Sequence, residues 1–129
     1  MGGERDLRKR TKDFALRVIR LYSSLPHVTE AQVMGKQVLR SGTSVGAHYC
    51  EATRARSTAE FISKMEGGLQ ELDETCYWFD LLVESGTVPE ARLADLRQEA
   101  EELTAIFVSS VKTAKSRRKT QNAERQAQH

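Results

Sequence analysis

The sequence predicts an all-α protein folded as an antiparallel up-down-up-down four-helix bundle. Three observations predict it: apolar residues recur at helical spacing in four segments, no segment alternates with a period of two, and proline or glycine signals separate the segments. Amphipathic helices joined by short turns have one economical packing, in which successive helices run in opposite directions around a shared core. A chain of 129 residues has room for one such core. The bundle domain is expected over residues 1–116, with a basic approach at its start. Residues 117–129 form a polar, basic tail with nothing to bury, expected to be frayed or disordered.

The first helix carries Phe14, Val18 and Tyr22 at a spacing of four, with Ala15 and Ile19 beside them. It ends at Ser23-Ser-Leu-Pro26, where the proline cannot continue a helix and biases Leu25 away from helical dihedrals. Thr29 is the expected cap of the second helix, in which Ala31, Met34, Val38, Val45, Tyr49 and Ala52 are in phase. Propensity alone would break this helix at Ser41-Gly-Thr-Ser-Val-Gly46, since each glycine costs about 1 kcal/mol relative to alanine. The apolar phase nevertheless crosses that stretch without a shift. We therefore expect one helix, in which Gly35, Gly42, Gly46 and Ala47 let a neighbouring backbone approach closely.

Ser57-Thr-Ala-Glu60 is a capping box that opens the third helix, with an expected buried stripe of Phe61, Met65, Gly68 or Leu69, Leu72, Cys76, Phe79 and Val83. Ser85-Gly86 ends it. Thr87-Val-Pro-Glu90 has the form of a second capping box, and the fourth helix then carries Leu93, Leu96, Ala100, Leu103, Phe107, Val111 and Ala114.

The chain lacks the inward-facing Glu-x-x-His pairs of di-iron bundles. His27, His48 and His129 fall at a turn, in mid-helix and at the last residue, a poor set for sharing a metal. There is no phosphate loop, dinucleotide fingerprint or nucleophile elbow. No catalytic residue, cofactor or metal is therefore expected, and Glu71, Asp73, Glu74, Asp80 and Glu84 read as a solvated helix face. Cys50 and Cys76 are too few for a disulfide framework and read as small core residues in a reducing cytoplasm. The N-terminal residues show no apolar signal segment, and no run is long enough to span a membrane.

The net charge of +2 conceals a segregation. Residues 1–22 carry seven basic and three acidic side chains, 57–111 carry three basic and twelve acidic, and 112–129 carry six basic and one acidic. In the predicted topology the start of the first helix, the turn between the second and third, and the end of the fourth share one end of the bundle. That end collects Arg5, Arg8, Lys9 and Arg10 with Lys12, then Arg54 and Arg56, then Lys112, Lys115, Arg117, Arg118 and Lys119. Cations at the end of the fourth helix suit its dipole, whereas Arg5 to Arg10 lie near a helix N-terminus, where cations are mildly unfavourable. A basic end of this kind attracts phosphate backbones without reading their sequence. The aromatic residues needed for base stacking are missing from it.

Ile19, Leu39, Ile62, Leu82 and Ile106, together with Tyr22, Tyr49, Tyr77 and Trp78, widen the apolar arc beyond what one core requires. Tyr77 and Trp78 are adjacent and diverge, so one of them is expected to leave the core, which points to a homo-oligomer.

Leu39-Arg-Ser-Gly-Thr-Ser-Val-Gly-Ala-His-Tyr-Cys-Glu-Ala-Thr-Arg-Ala-Arg-Ser57, Glu60-Phe-Ile-Ser-Lys64 and Glu71-Leu-Asp-Glu-Thr-Cys-Tyr-Trp78 resemble the proteins encoded by intervening sequences in bacterial 23S rRNA genes. The likeness covers roughly residues 12–116, and His48 stands where the family pattern has Asn. The resemblance implies an antiparallel four-helix bundle and, from relatives, a ring-shaped homopentamer. Related accessory proteins of diversity-generating retroelements form similar barrels and bind nucleic acid beside a reverse transcriptase. The family supplies no catalytic or binding residue to transfer. Within the motif, Ser41, Thr43 and Ser44 are placed to bond back to helix carbonyls, and Glu51 with Arg54 and Arg56 with Glu60 are at helix-neighbour spacing. The functional expectation is a non-enzymatic, oligomeric bundle associated with RNA or DNA through its basic end. The alternative is a protein–protein scaffold whose acidic helices meet a basic partner such as a polymerase.

Overall fold

The computed structural model describes the backbone of residues 3–128 and the side chains of residues 7–128. The chain folds into α1 (Gly3–Ser23), α2 (Thr29–Thr53), α3 (Thr58–Glu84) and α4 (Glu90–Ala127), with no strand among the described residues. Each helix packs on the next in chain order and α4 closes back on α1, while the α2/α4 diagonal is bridged through the core by the Tyr49 and Phe107 rings, whose centroids lie 6.1 Å apart. This is the antiparallel four-helix bundle. The α2/α3 seam is the most extensive and the α1/α4 seam the sparsest.

The ends of the helices show which local signals the chain obeys. Before Pro26, the amides of Ser24 and Leu25 close a last tight turn onto the carbonyls of Leu21 (3.0 Å) and Tyr22 (3.1 Å). Ser57 caps α3 by accepting the Glu60 amide at 3.0 Å, and the Glu60 carboxylate accepts the Arg56 amide at 2.9 Å. The capping box is thus formed, with its return bond one residue earlier than the usual pattern. At the end of α3, Gly86 takes φ of 79° and the Thr87 and Val88 amides both reach back to the Leu82 carbonyl.

The other two expected caps are corrected. Thr29 is the first helical residue of α2, extended Val28 holds the cap position, and no side chain caps it. Gln32 secures that turn instead, its amide nitrogen donating to the Pro26 carbonyl (3.0 Å) and its oxygen accepting the Tyr22 hydroxyl (3.1 Å). Thr87 does not cap α4: its hydroxyl lies 2.8 Å from that of Ser85, and Pro89 holds the cap position. The carbonyls of Val28 and Pro89 accept amides from Gln32 and Arg92, so both helices start without a side-chain cap.

Apolar burial follows the expected phase on α1, α2 and α4, with Phe14, Val18, Val38, Val45, Leu93, Leu103 and Phe107 fully enclosed. On α3 the buried face is Ile62, Met65, Gly68, Leu72, Thr75, Phe79 and Leu82. Phe61, Leu69, Cys76 and Val83, expected on that stripe, lie half-buried beside it. Apolar residues flank both sides of the true face, so spacing alone does not choose between the two phases. Ile62 and Leu82, assigned to the wider arc, are core residues, and Ile19 and Tyr77 are the members of that arc left exposed.

The small-residue window of α2 faces α1. A Cβ at Gly42 would lie 2.8 and 2.9 Å from the two methyl groups of Val18, and one at Gly68 on α3 would lie 2.6 Å from the Phe107 ring. Ala47, expected in the window, is exposed. Thr43 and Ser44 bond back to the carbonyls of Leu39 and Arg40, each at 2.7 Å. Ser41 does something else. It is fully buried with Thr75, whose hydroxyl lies 2.8 Å from its own, across the α2/α3 seam. Beyond Ala114, α4 continues through the segment assigned to a polar tail; Gln, Arg, Lys, Ala and Glu are good helix formers, and the residues there are largely solvent-exposed.

Val18 is stiff at χ1 and cannot retreat from a new methyl group. Gly42→Ala should therefore destabilise by about 1–2 kcal/mol, overpacking outweighing the gain in helix propensity. Urea denaturation measures this, and in a double-mutant cycle Val18→Ala should relieve part of the loss.

Candidate functional site

The topology brings the three basic stretches to one end. Arg8 of α1 reaches the end of α2, with Nη2 donating to the Thr53 hydroxyl at 3.3 Å and Nη1 lying 3.7 Å from Cys50 Sγ. The α2–α3 turn supplies Arg54 and Arg56, both exposed. α4 supplies Lys112, Lys115, Arg117, Arg118 and Lys119, and a cleft of about 670 Å³ between that turn and α4 has Arg56 and Arg117 in its walls. The side chain of Arg5 lies outside the described residues.

Several of these cations are engaged within the protein. Lys9 pairs with Asp13 at 2.7 Å, and Lys115 with Glu66 on α3 at 3.2 Å. Arg10 is a strut across the sparse α1/α4 seam: it meets Glu99 through Nε at 3.1 Å and Nη2 at 2.7 Å, and Glu102 at 2.9 Å. The hydrogen bond to Glu99 leads in holding the Arg10 guanidinium more firmly protonated than usual. Hydrogen bonds from Gln98 and then Arg10 keep the Glu102 carboxyl below its usual range. Arg54, Arg56, Lys112, Arg117, Arg118 and Lys119 form no ion pair among the described residues, so their charge faces outward. On α4 they encircle the helix: Arg117 lines the cleft, while Arg118 and Lys119 border a separate hollow with Lys115.

The acidic helices carry a polar network that spacing within one helix does not reveal. Arg40 of α2 pairs with Glu74 and, at 3.4 Å, with Glu71. Lys64 takes Glu51 at 3.3 Å, and Arg97 takes Asp80 at 2.6 Å. The expected Glu51–Arg54 link is thus replaced by a cross-helix pair. Arg56 meets Glu60 through its backbone amide. The His48 ring lies against Gly67 of α3, with Nε2 3.8 Å from a Glu71 oxygen and Nδ1 buried without a hydrogen-bond partner. Among the described residues no cluster of His, Cys, Asp or Glu is suited to a metal. Both cysteines are free and half-buried, and burial leads in pushing the Cys76 thiol upward.

Trp78 turns inward from exposed Tyr77 and donates Nε1–H to Glu74 at 3.0 Å. That bond first, and Arg40 second, hold the Glu74 carboxyl below its ordinary range. A depressed carboxyl stabilises the fold above its unfolded pKa, and the contribution is lost as pH falls through the folded value. Trp78→Phe and Arg40→Gln should each raise the Glu74 titration midpoint in a carboxyl-carbon NMR titration. Because Trp78 is the sole tryptophan, wild-type emission should change over the same acidic interval.

Residues 4–109 match the family model described as 23S rRNA-intervening sequence protein. Among solved structures, the chain is similar to a protein of unknown function from the S23 ribosomal protein family of Bacteroides thetaiotaomicron. The two are 34% identical over 84% of this chain and 97% of that one, with a TM-score of 0.80. No curated protein matches.

Proposed function

Since the chain belongs to the 23S rRNA-intervening sequence protein family, we propose that it is a non-enzymatic, self-associating bundle that holds RNA or DNA through its basic end. The observation that carries this reading is the set of outward cations. Arg54, Arg56, Lys112, Arg117, Arg118 and Lys119 come from two separate stretches, meet at one end, and are not neutralised by a described carboxylate. Helix energetics accounts for few of them, because α4 runs on to Ala127 and places Lys112 to Lys119 before its last turn. Arg10 and Lys115 have a structural share in the same end through Glu99, Glu102 and Glu66.

Self-association is supported by exposed apolar side chains on every helix: Leu16 and Ile19, Val33, Tyr77, and Val108. The family resemblance adds the ring-shaped homopentamer as the assembly to test. In a ring each protomer presents its own basic end, so weak contacts act together. No described helix is long and apolar enough to cross a membrane, and the proposed setting is the cytoplasm.

A second reading, a scaffold for a basic protein such as a polymerase, is favoured by exposed Asp73, Glu84, Glu90, Asp95 and Glu101. None of these forms an ion pair among the described residues.

Single-stranded RNA titrated at increasing salt tests the leading reading. Affinity should fall steeply with salt, and replacing Lys112, Arg118 and Lys119 by Gln should flatten the log–log slope by about 2. Unchanged affinity and slope in that variant would exclude the basic end. Light scattering at micromolar protein should give a multimer, and a monomeric mass would remove the ring.

A further inference from the structure

We propose that the cleft at the basic end is a binding site for a nucleotide phosphomonoester, either the phosphorylated end of a single strand or a free nucleotide. The proposal rests on the reading of the basic end as a nucleic-acid surface and narrows it. An open patch accepts any length of backbone, whereas a concave site accepts a chain end or a lone nucleotide.

The cleft exists because α4 continues beside the α2–α3 turn and stands away from it. Its volume of about 670 Å³ falls in the range of small-ligand sites. The two walls have different origins. One is the turn and the first residues of α3; the other is the face of α4 from Ser109 to Gln121.

The chemistry of the lining selects an anion. No carboxylate is among its described lining residues, although α3 and α4 carry most of the protein's 18 acidic side chains. Arg56 and Arg117 face the space from opposite walls, each exposed and outside any described ion pair. Two guanidinium forks match the three oxygens and near-double charge of a phosphomonoester better than the single charge of an internal diester.

The hydroxyl groups give a second, independent indication. Thr58, Ser109, Ser110 and Thr113 line the cleft and make no side-chain hydrogen bond among the described residues. Outside the cleft on α4, Thr104 donates to the Ala100 carbonyl at 2.8 Å and Thr120 to that of Ser116 at 3.2 Å, whereas the exposed Ser116 hydroxyl makes no hydrogen bond among the described residues. The cleft therefore keeps neutral donors available beside its two cations. The start of α3 lies in the same wall, with its Glu60 and Arg56 amides already taken up by the capping box, so the charge of the site is that of the two guanidinium groups. Half-buried Phe61, an aromatic residue that the sequence placed on the core stripe and not at this end, supplies an apolar surface for a sugar or base.

The test compares a short single-stranded RNA bearing a 5′-phosphate with the same RNA ending in a 5′-hydroxyl, by fluorescence anisotropy on the full chain, with AMP as the free nucleotide. The phosphorylated strand should bind about tenfold more tightly, the worth of a charge-assisted hydrogen bond. Thr113→Val should pull that ratio toward one while changing the hydroxyl strand's affinity far less, and Arg117→Gln, which also removes a cation of the basic end, should weaken both strands but the phosphorylated one more. Both positions are exposed, and circular dichroism should show the fold retained. AMP that removes the increment places free nucleotides in the cleft; AMP that does not, with the increment intact, assigns it to strand ends. Either result supports the proposal. Equal affinity for the two strands, with no saturable AMP binding, overturns it and leaves the basic-end reading standing. Saturable AMP binding that is weakened by Arg117→Gln, with neither strand bound at low salt, supports the cleft and overturns the basic-end reading.

Discussion

The short connections between helices constrain everything else in this structure. A few residues around Pro26, Arg54 and Gly86 leave each helix no choice but to return antiparallel beside the one before it. The returning helix must bury its apolar stripe against its predecessor, which fixes α2 and α3 as the central pair and leaves α1 and α4 to meet last. That late seam is thin in apolar contact and is joined by Arg10 with Glu99 and Glu102 and by Arg92 with the Ser24 hydroxyl. The same alternation of direction places Arg8, Arg56 and Arg117, far apart in the chain, at one end.

Charge is distributed by the same geometry. The acidic surplus of α3 and α4 would repel itself if it stood alone, and part of it is met by Arg40 and Arg97, which reach across helix seams. The acidic body is therefore partly neutralised from within, while the cations of the α2–α3 turn and, apart from Lys115, those from Lys112 to Lys119 have no carboxylate partner among the described residues. Exposed pairs of this kind contribute little to stability individually. Their consequence is a field with a direction.

Much of the fold was legible because strong local signals agreed with one another. Pro26 stops α1, the Ser57–Glu60 box starts α3, Gly86 takes the left-handed turn, and the apolar phase crosses Gly42 and Gly46 as one helix. Legibility failed where two local solutions were nearly equal. Phe61 beside Ile62, and Leu82 beside Val83, allow either face of α3 to turn inward, and only the partners α2 and α4 decide between them. Thr29 and Thr87 look like caps, but the backbone entering each helix places Val28 and Pro89 at the cap positions. For the candidate site, the gathering of cations followed from topology alone. Their sorting into engaged and outward groups did not, since Arg10 and Glu99 lie 89 residues apart and their register comes only with the packed bundle. The cleft was invisible for a related reason: it is a gap between elements, and no single stretch of sequence encodes it.

The buried hydroxyl pair of Ser41 and Thr75 has a consequence for how this seam can vary. Two dry hydroxyls satisfy each other only when α2 and α3 are aligned axially as they are. Sliding one helix past the other by a turn would cost the Ser41 hydroxyl its partner, while Thr75 keeps the Glu71 carbonyl of its own helix at 2.7 Å, and the apolar stripes alone would object much less to such a slip. The pair therefore acts as an index mark that tells two otherwise greasy surfaces which alignment to adopt. It also links the fates of the two positions unequally: an apolar residue in place of Thr75 costs Ser41 its partner across the seam, one in place of Ser41 leaves Thr75 on the Glu71 carbonyl, and a simultaneous change removes the mark and the penalty together.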